Sequence, residues 1–454
     1  MVNLEDIKKV YLVGIGGISM SSLARYFQKR GCEVAGYDKT FTILTRALEA
    51  ESIPVSYEDS LNAIPELYRS NDASTLIIYT PAVPKNSVVY SYFADAGFTL
   101  YKRSQILGLL SRGMFTIAVA GTHGKTTTSC LITHLLRHGG NTCSAFLGGI
   151  SVNYDTNLII GENEVLVVEA DEYDRSFLTL HPNIAVITSM DADHLDIYGD
   201  KSHLTESFEL FASQVDTKGT IFLRKGLDVK LPVSTYAIET ESADAKAINI
   251  RIEQGEFRFD FYNQETEMRD LTLGLPGQHN IENAVAAIQV ALKMGISQQD
   301  IRTGLESFRG VKRRFEYIVK QDGAIYIDDY AHHPEELRAC FRAVRTLYSD
   351  KKFTAVFQPH LFTRTRDFAD GFAEVLSLVD ELILLEIYPA RELPIAGIDS
   401  QFLLDKIALE NKKLLTKDEV LKFIENTKPE LLVTVGAGDI DTLIKPIQNI
   451  YNNA

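Results

Sequence analysis

Short runs of apolar and β-branched residues recur along the chain, and most are followed by apolar positions at helical spacing. Lys9–Val13, Glu33–Tyr37, Thr75–Tyr79, Phe115–Ala120, Val165–Val168, Ile184–Thr188, Ala324–Ile327, Phe353–Phe357 and Leu431–Val435 read as strands. Their alternation with helical segments predicts parallel sheets joined by crossover helices, an α/β fold. Each run ends in polar or glycine-rich residues. Gly14-Ile15-Gly16-Gly17, Asp38 and Thr80 close the runs of the first third. Gly121-Thr122-His123-Gly124-Lys125, Glu169-Ala170-Asp171 and Asp191-Ala192-Asp193-His194 close those of the middle. Asp328-Asp329-Tyr330-Ala331-His332-His333, Gln358-Pro359-His360 and Gly436-Ala437-Gly438-Asp439 close those of the last third. Open α/β sheets bind ligands at the carboxyl ends of their strands, so three such groups imply three α/β units.

The expected organisation is a Rossmann-like N-terminal domain over 1–108, a P-loop mononucleotide-binding central domain over 109–311 and a Rossmann-like C-terminal domain over 312–454. The boundaries are placed near Gly108–Gly113 and Gly310–Arg314. Residues 220–275 differ. Thr220–Leu223 and Phe257–Phe261 are strand-like with no helices between them, a β-rich excursion within the central domain.

Composition narrows the class. The chain has 454 residues, 45% hydrophobic and 24% charged, as in ordinary globular proteins. Its formal net charge of −15 argues against general binding to nucleic acid or an anionic membrane surface. Small anions are still possible ligands where cations gather locally. Cys32, Cys130, Cys143 and Cys340 form no CxxC pair, so a disulfide framework or zinc site is not expected. With no membrane-length apolar run and no signal-peptide pattern, a soluble cytoplasmic protein without membrane insertion is expected.

Gly121-Thr122-His123-Gly124-Lys125-Thr126-Thr127 lies between a strand and the helix expected over Thr128–Leu136. Such a loop turns backbone N–H groups onto phosphate oxygens at a helix N-terminus. Lys125 can reach the outer phosphates, and the Thr126 hydroxyl can bind Mg²⁺. Position 119 is Val, so the longer GxxxxGK[ST] pattern is incomplete. Glu169 and His194 end the next two strands. If those strands flank the loop, both side chains converge on the outermost phosphate, with the carboxylate better suited to Mg²⁺ than the imidazole. Asp171, Glu172, Asp174, Asp191 and Asp193 read mainly as solvated or capping residues.

Gly14, Gly16 and Gly17 with Asp38 look at first like a dinucleotide fingerprint, but Ser19 stands where the third glycine belongs. A nucleotide diphosphate at the same helix N-terminus is equally compatible. His279, Asn280 and Asn283 open an Ala-rich helix and are expected to share a face, where an amide can read an adenine edge or simply cap. Lys312-Arg313-Arg314 forms a cationic cluster. Tyr330, His332, Arg364 and Arg366 add donors suited to carboxylate or phosphate, and a base.

Together these segments resemble the signatures of the Mur ligases. The loop Val119–Thr127 is similar to the family's ATP loop. GQHNIENAVAA, VKRRFE and DDYAHHP come next in the family's order, and VGIGGISMSSLA, DADHLDIYG and FQPHLFTRTRDF are similar to its alanine-adding branch. The likeness runs from Val10 to Gly438. It implies a three-domain enzyme of bacterial peptidoglycan synthesis that joins L-alanine to the carboxylate of UDP-N-acetylmuramate, using ATP and Mg²⁺ through an acyl phosphate. By the same resemblance, Gly14, Gly16, Gly17 and Asp38 hold the UDP moiety. Gly121 to Thr127 hold ATP, and Thr126, Glu169 and His194 hold the metal. His279, Asn280, Asn283, Arg314 and Asp329 complete the ATP site, and Tyr330, His332, Arg364 and Arg366 form the amino-acid side. Lys125, His194, His332 and Arg364 would be the catalytic set, and Lys125→Ala is expected to abolish ligation with the fold intact.

Two positions depart from the pattern. Leu361 stands where many relatives carry Arg, and no Lys occurs near Thr205-Glu206, where sister ligases carry a modified one. The nearest alternative is the ligase that attaches a preformed peptide to the same UDP-sugar. A nicotinamide-dependent oxidoreductase and a non-catalytic nucleotide-binding regulator are more distant ones.

Overall fold

The computed structural model describes residues 2–191, 201–240, 242–253, 256–390 and 392–452. They form three sheets. The first contains β1 (Lys9–Val13), β2 (Glu33–Tyr37), β3 (Val55–Ser56), β4 (Thr75–Tyr79) and β5 (Leu100–Lys102) in the order β3-β2-β1-β4-β5, all parallel. The strand order reverses beside β1, so its carboxyl end, Gly14 onward, faces the crevice where such sheets take ligands.

The second sheet contains β6 (Phe115–Ala120), β7 (Ser144–Ser151), β8 (Thr156–Ile159), β9 (Val165–Ala170), β10 (Ile184–Ile187), β11 (Thr220–Arg224), β12 (Ser234–Ile238), β13 (Ala245–Glu253), β14 (Glu256–Tyr262) and β15 (Glu267–Leu273). Its order is β15-β14-β13-β12-β11-β10-β6-β9-β7-β8. The β-rich excursion thus extends the central sheet through β11 to β15. For the site, the important fact is that β6 pairs in parallel with both β9 and β10.

The third sheet contains β16 (Glu316–Gln321), β17 (Ala324–Asp329), β18 (Phe353–Phe357), β19 (Glu381–Leu384), β20 (Lys412–Leu414) and β21 (Leu431–Val435) in the order β16-β17-β21-β18-β19-β20. Only the β16–β17 pair is antiparallel. Alternate residues serve opposite faces. Ile325, Ile327, Phe357, Leu384 and Val433 join one core with Phe341 and Phe372, whereas Tyr326, Val356, Ile383 and Leu432 join another with Ile447 and Tyr451. Each such fully buried side chain contributes roughly 1.5–3 kcal/mol.

By compactness the chain divides into two units. One is Met1–Asn249 with Asp260–Leu271 and Glu282–Phe308; the other is Ile250–Phe259 with Thr272–Ile281 and Arg309–Ala454. Within the first unit the helix Ile18–Lys29 is tied to β8 by Asn157, which is fully buried. Its amide donates to the Ile18 carbonyl (2.5 Å) and the Ser21 hydroxyl (3.1 Å), and its Oδ1 accepts from Arg25 (2.8 Å).

Two elements differ usefully from the sequence expectation. The helix after the loop begins at Lys125 and runs to His138, because Gly124 makes the left-handed turn and leaves Lys125 free to start the helix. Strand β17 continues through Asp328 and Asp329, which are held in register with Thr434 and Val435 of β21. Among the described residues no helix is long and apolar enough to cross a membrane.

Candidate active site

The loop after β6 is shaped by its glycines. Gly121 and Gly124 have φ of +140° and +83°, conformations that side-chain-bearing residues rarely take. A Cβ on Gly121 would lie 2.1 Å from Thr188 Oγ1, and one on Gly124 would lie 2.9 Å from Asn283 Oδ1. The end of β10 braces the loop. Ser189 Oγ accepts from the His123 N–H (2.7 Å) and bonds the Thr122 hydroxyl (2.9 Å), and Thr188 donates to the His123 carbonyl. Thr188 and Ser189 were not singled out by the sequence, because a short polar strand end carries no sign of its partner. The first N–H groups of the helix Lys125–His138 have no intrahelical acceptor, the arrangement that takes phosphate.

Glu169 lies at the end of β9, opposite Val119 of β6. The Thr126 hydroxyl donates to its two oxygens at 3.0 and 3.2 Å. Gly148 on β7 makes the room: a Cβ there would lie 1.9 Å from Glu169 Oε2. A hydroxyl beside a carboxylate is the hard-oxygen donor set that Mg²⁺ selects, so the pair fits the ion. Among the described residues no three His, Cys, Asp or Glu side chains gather as a metal cluster. His194 lies outside the described residues.

Glu172 corrects the sequence reading, which grouped it with solvated acids. Its side chain is 1% exposed and accepts from the Lys125 ammonium with both oxygens, at 2.7 and 3.0 Å. The same ammonium donates to the Gly121 carbonyl at 2.6 Å. Burial alone would lower the Lys125 pKa, but Glu172, Glu169 and Asp171 outweigh it and hold the pKa above the ordinary lysine value. Lys125 therefore stays charged. Asp171 is paired too, with Arg103 at 3.3 Å.

At the first glycine loop, Gly14 has φ +91° and packs where a Cβ would meet Thr80. Asp38 Oδ2 accepts from the Gly16 N–H (2.8 Å), and Gly17 caps the helix Ile18–Lys29. Asp38 thus orders the loop from within.

The helix Gln278–Lys293 sorts its three candidates. Asn280 is buried and donates to the Pro276 carbonyl at 2.6 Å, Asn283 is buried beside Gly124, and His279 is exposed. One shared face does not describe them, because Asn280 turns back to satisfy the helix entry.

In the second unit, Asp328 is fully buried and accepts from Arg313 Nε (3.0 Å) and the Thr434 hydroxyl. Asp329 accepts from the Phe315 and Ala331 N–H groups, both at 2.7 Å. Burial pushes the Asp329 carboxyl up to about 6, against the pull of Arg314 and these two bonds. The guanidinium groups of Arg313 and Arg314 lie 5.2 and 5.4 Å from the centre of the Tyr330 ring.

His332 Nδ1 lies 3.0 Å from the Tyr330 carbonyl, which can only accept, so Nδ1 carries the proton and Nε2 is left basic. Burial lowers the His332 pKa, opposed by Glu336 and assisted by Arg364. His360, absent from the expected set, has its ring 6.0 Å from that of His332 and stacks on Tyr388. Burial, His332 and Arg364 push it down to about 4. Arg364 is partly buried on the helix Phe362–Asp367, whereas Arg366 is exposed and pairs with Asp367 at 2.7 Å. Leu361 takes φ +72° and has no guanidinium to offer.

Residues 9–114 match "Mur ligase family, catalytic domain", 119–291 match "Mur ligase middle domain" and 313–438 match "Mur ligase, glutamate ligase domain". The UDP-N-acetylmuramate–L-alanine ligase of Christiangramia forsetii is 50% identical over 448 residues, covering 99% of this chain and 98% of its own. The enzyme of that name from Cytophaga hutchinsonii is 48% identical over 455 residues, covering 98% and 97%. The solved UDP-N-acetylmuramate-alanine ligase of Thermotoga maritima superposes with a TM-score of 0.84 at 26% identity, covering 98% and 99%. A murein peptide ligase from Psychrobacter arcticus superposes at 0.71 with 22% identity over 98% and 99%, a likeness of fold.

Proposed function

The chain belongs to the Mur ligase family, and from that premise we propose that it joins L-alanine to the carboxylate of UDP-N-acetylmuramate in peptidoglycan synthesis, at the expense of ATP. The observation that carries this reading is the meeting of Lys125, Thr126 and Glu169 where β6 and β9 end. It supplies a phosphate loop, a cation and a metal carboxylate at one point. The near full-length likeness to alanine-adding enzymes favours this acceptor over a preformed peptide.

The reaction has two steps. A carboxylate oxygen of the UDP-sugar attacks the γ-phosphorus of ATP, the bond to the β–γ bridging oxygen breaks, and an acyl phosphate and ADP result. The neutral amine of alanine then attacks the acyl carbon, inorganic phosphate leaves, and the amine gives up a proton. Lys125 faces the charge that builds on the phosphoryl oxygens, and the loop Gly121–Thr127 orients them. Thr126 and Glu169, with His194 as a further ligand, would hold a magnesium ion, which would supply charge that offsets repulsion between the two anions. Asn283 stands beside Gly124 at the nucleotide loop, and by the family resemblance His279, Asn280, Arg314 and Asp329 are assigned to the nucleotide as well. Gly14, Gly16 and Gly17, ordered by Asp38, hold the UDP diphosphate at a helix N-terminus. Arg364 takes the alanine carboxylate, Arg366 and Tyr330 are assigned to the same amino-acid side, and His332 Nε2 receives the amine proton.

The domains run 1–108, 109–311 and 312–454, and the enzyme works in the cytoplasm, where ATP and UDP-sugars are made. The test is phosphate release with UDP-N-acetylmuramate, ATP and Mg²⁺, adding L-alanine or the preformed peptide in turn. Release with L-alanine is expected. No amine-dependent release refutes the ligase reading, and release with peptide alone refutes the acceptor.

A further inference from the structure

The Lys125 ammonium has three hydrogens, and three acceptors of the protein surround it: the Gly121 carbonyl and both oxygens of Glu172. Two of the three belong to one carboxylate that is almost wholly shielded from water. In this arrangement the loop's cation is directed inward, at its own protein. A phosphate group entering the loop offers Lys125 oxygens of the same charge and geometry as that carboxylate. The two compete for the same donors.

We propose that Glu172 is a stand-in for the nucleotide phosphates. It holds Lys125 in place when the loop has no nucleotide, and it weakens nucleotide binding by competing for the ammonium. The proposal rests on the reading of Gly121–Thr127 as a nucleotide loop, and deepens it. A buried carboxylate next to a partly buried ammonium does two things. It keeps the lysine charged and positioned, so the site need not be rebuilt each turnover. It also returns the ammonium to the protein when the product leaves, which favours release of ADP. Glu172 is in this sense a positioning residue that acts through Lys125. Nearby, Asp171 pairs with Arg103 at 3.3 Å, and both line a cleft with Glu169.

The test compares ADP affinity, by calorimetry in Mg²⁺, for the wild type, Glu172→Gln and Glu172→Asp. Gln keeps the shape without the charge, so ADP binding is expected to tighten about tenfold, with a matching fall in KM for ATP. Asp is one methylene shorter and weakens the pair, so an intermediate tightening is expected. A purely structural ion pair would lower the melting temperature of Glu172→Gln and leave ADP affinity alone. Unchanged or weaker ADP binding by folded Glu172→Gln overturns the proposal. If that variant fails to fold, ADP binding by Glu172→Asp no tighter than by the wild type overturns it instead. Absence of ADP binding by the wild type refutes the nucleotide reading itself, so the two failures are told apart.

Discussion

At the scale of single residues, the ion pair of Lys125 changes what its removal does. Lys125→Ala is still expected to abolish ligation, but it also strands the buried Glu172 carboxylate. Breaking such a pair costs about 3–5 kcal/mol, so the fold is weakened as well. Adding Glu172→Gln to Lys125→Ala should restore much of the melting temperature and none of the activity, a cycle read by calorimetry and phosphate release. Gly148 gives a second case. A methyl there would overlap Glu169 Oε2, so Gly148→Ala should displace the carboxylate and lower ligation about 100-fold, as an ångström-scale misplacement does. The third concerns His332, which must be neutral to take a proton. Its pKa is lowered, so the acid limb of kcat/KM should lie below the ordinary histidine value of 6.5. Glu336 opposes that lowering, and Glu336→Gln should move the limb to still lower pH. A limb that moves upward would show that the base is another group.

At the scale of elements, strand order decides which side chains meet. Glu169 and Thr126 are neighbours because β9 pairs beside β6, and Thr188 and Ser189 brace the loop because β10 pairs on its other side. The same scale explains Asn157, whose one side chain satisfies the entry of the helix Ile18–Lys29 from a strand of another sheet. Asn157→Ala removes three hydrogen bonds and empties a buried position, although Arg25 keeps Glu51 and the Ile18 carbonyl keeps the Ser21 and Ser22 hydroxyls. A loss of about 2–4 kcal/mol is expected, read from the denaturant midpoint with the slope unchanged. Strand existence was legible in the sequence because β-branched runs ending in glycine or acid are local signals. Which strands pair was not, because pairing is set between segments far apart in the chain.

At the scale of the whole molecule, a net charge of −15 coexists with a reading in which both nucleotide substrates are polyanions. Cations such as Lys125, Arg314 and Arg364 stand at strand ends, where a few positive groups outweigh a distant acidic surface. Stability against acid also has opposed parts. His360 falls from an ordinary 6.5 to about 4 on folding, so between those values the unfolded chain binds the proton and the folded one does not. Acidification through that window therefore lowers stability. Asp329 rises from 3.8 to about 6, so over nearly the same window it raises stability as pH falls. Replacing His360 by Gln removes the first contribution only. The variant should lose less melting temperature than the wild type between pH 6.5 and 4.5, and parallel curves would refute the depressed histidine.

The sequence by itself determined the α/β class, the glycine-rich loop 121–127 and the kinds of groups available, including Lys125, Glu169, His332 and Arg364. It could do so because strand periodicity, glycine turns and side-chain chemistry are written within a few consecutive residues. Tertiary structure alone decided that Glu172 faces Lys125 across 47 positions, that Gly148 clears space for Glu169, and that the His360 ring meets His332 edge-on. In ADEYDRSF no acid is distinguished from its neighbours. The one that becomes buried is chosen by the end of β9, the turn after it and the lysine waiting across the loop. Burial then gives the pairing its strength, since a carboxylate removed from water must find its cation in the protein.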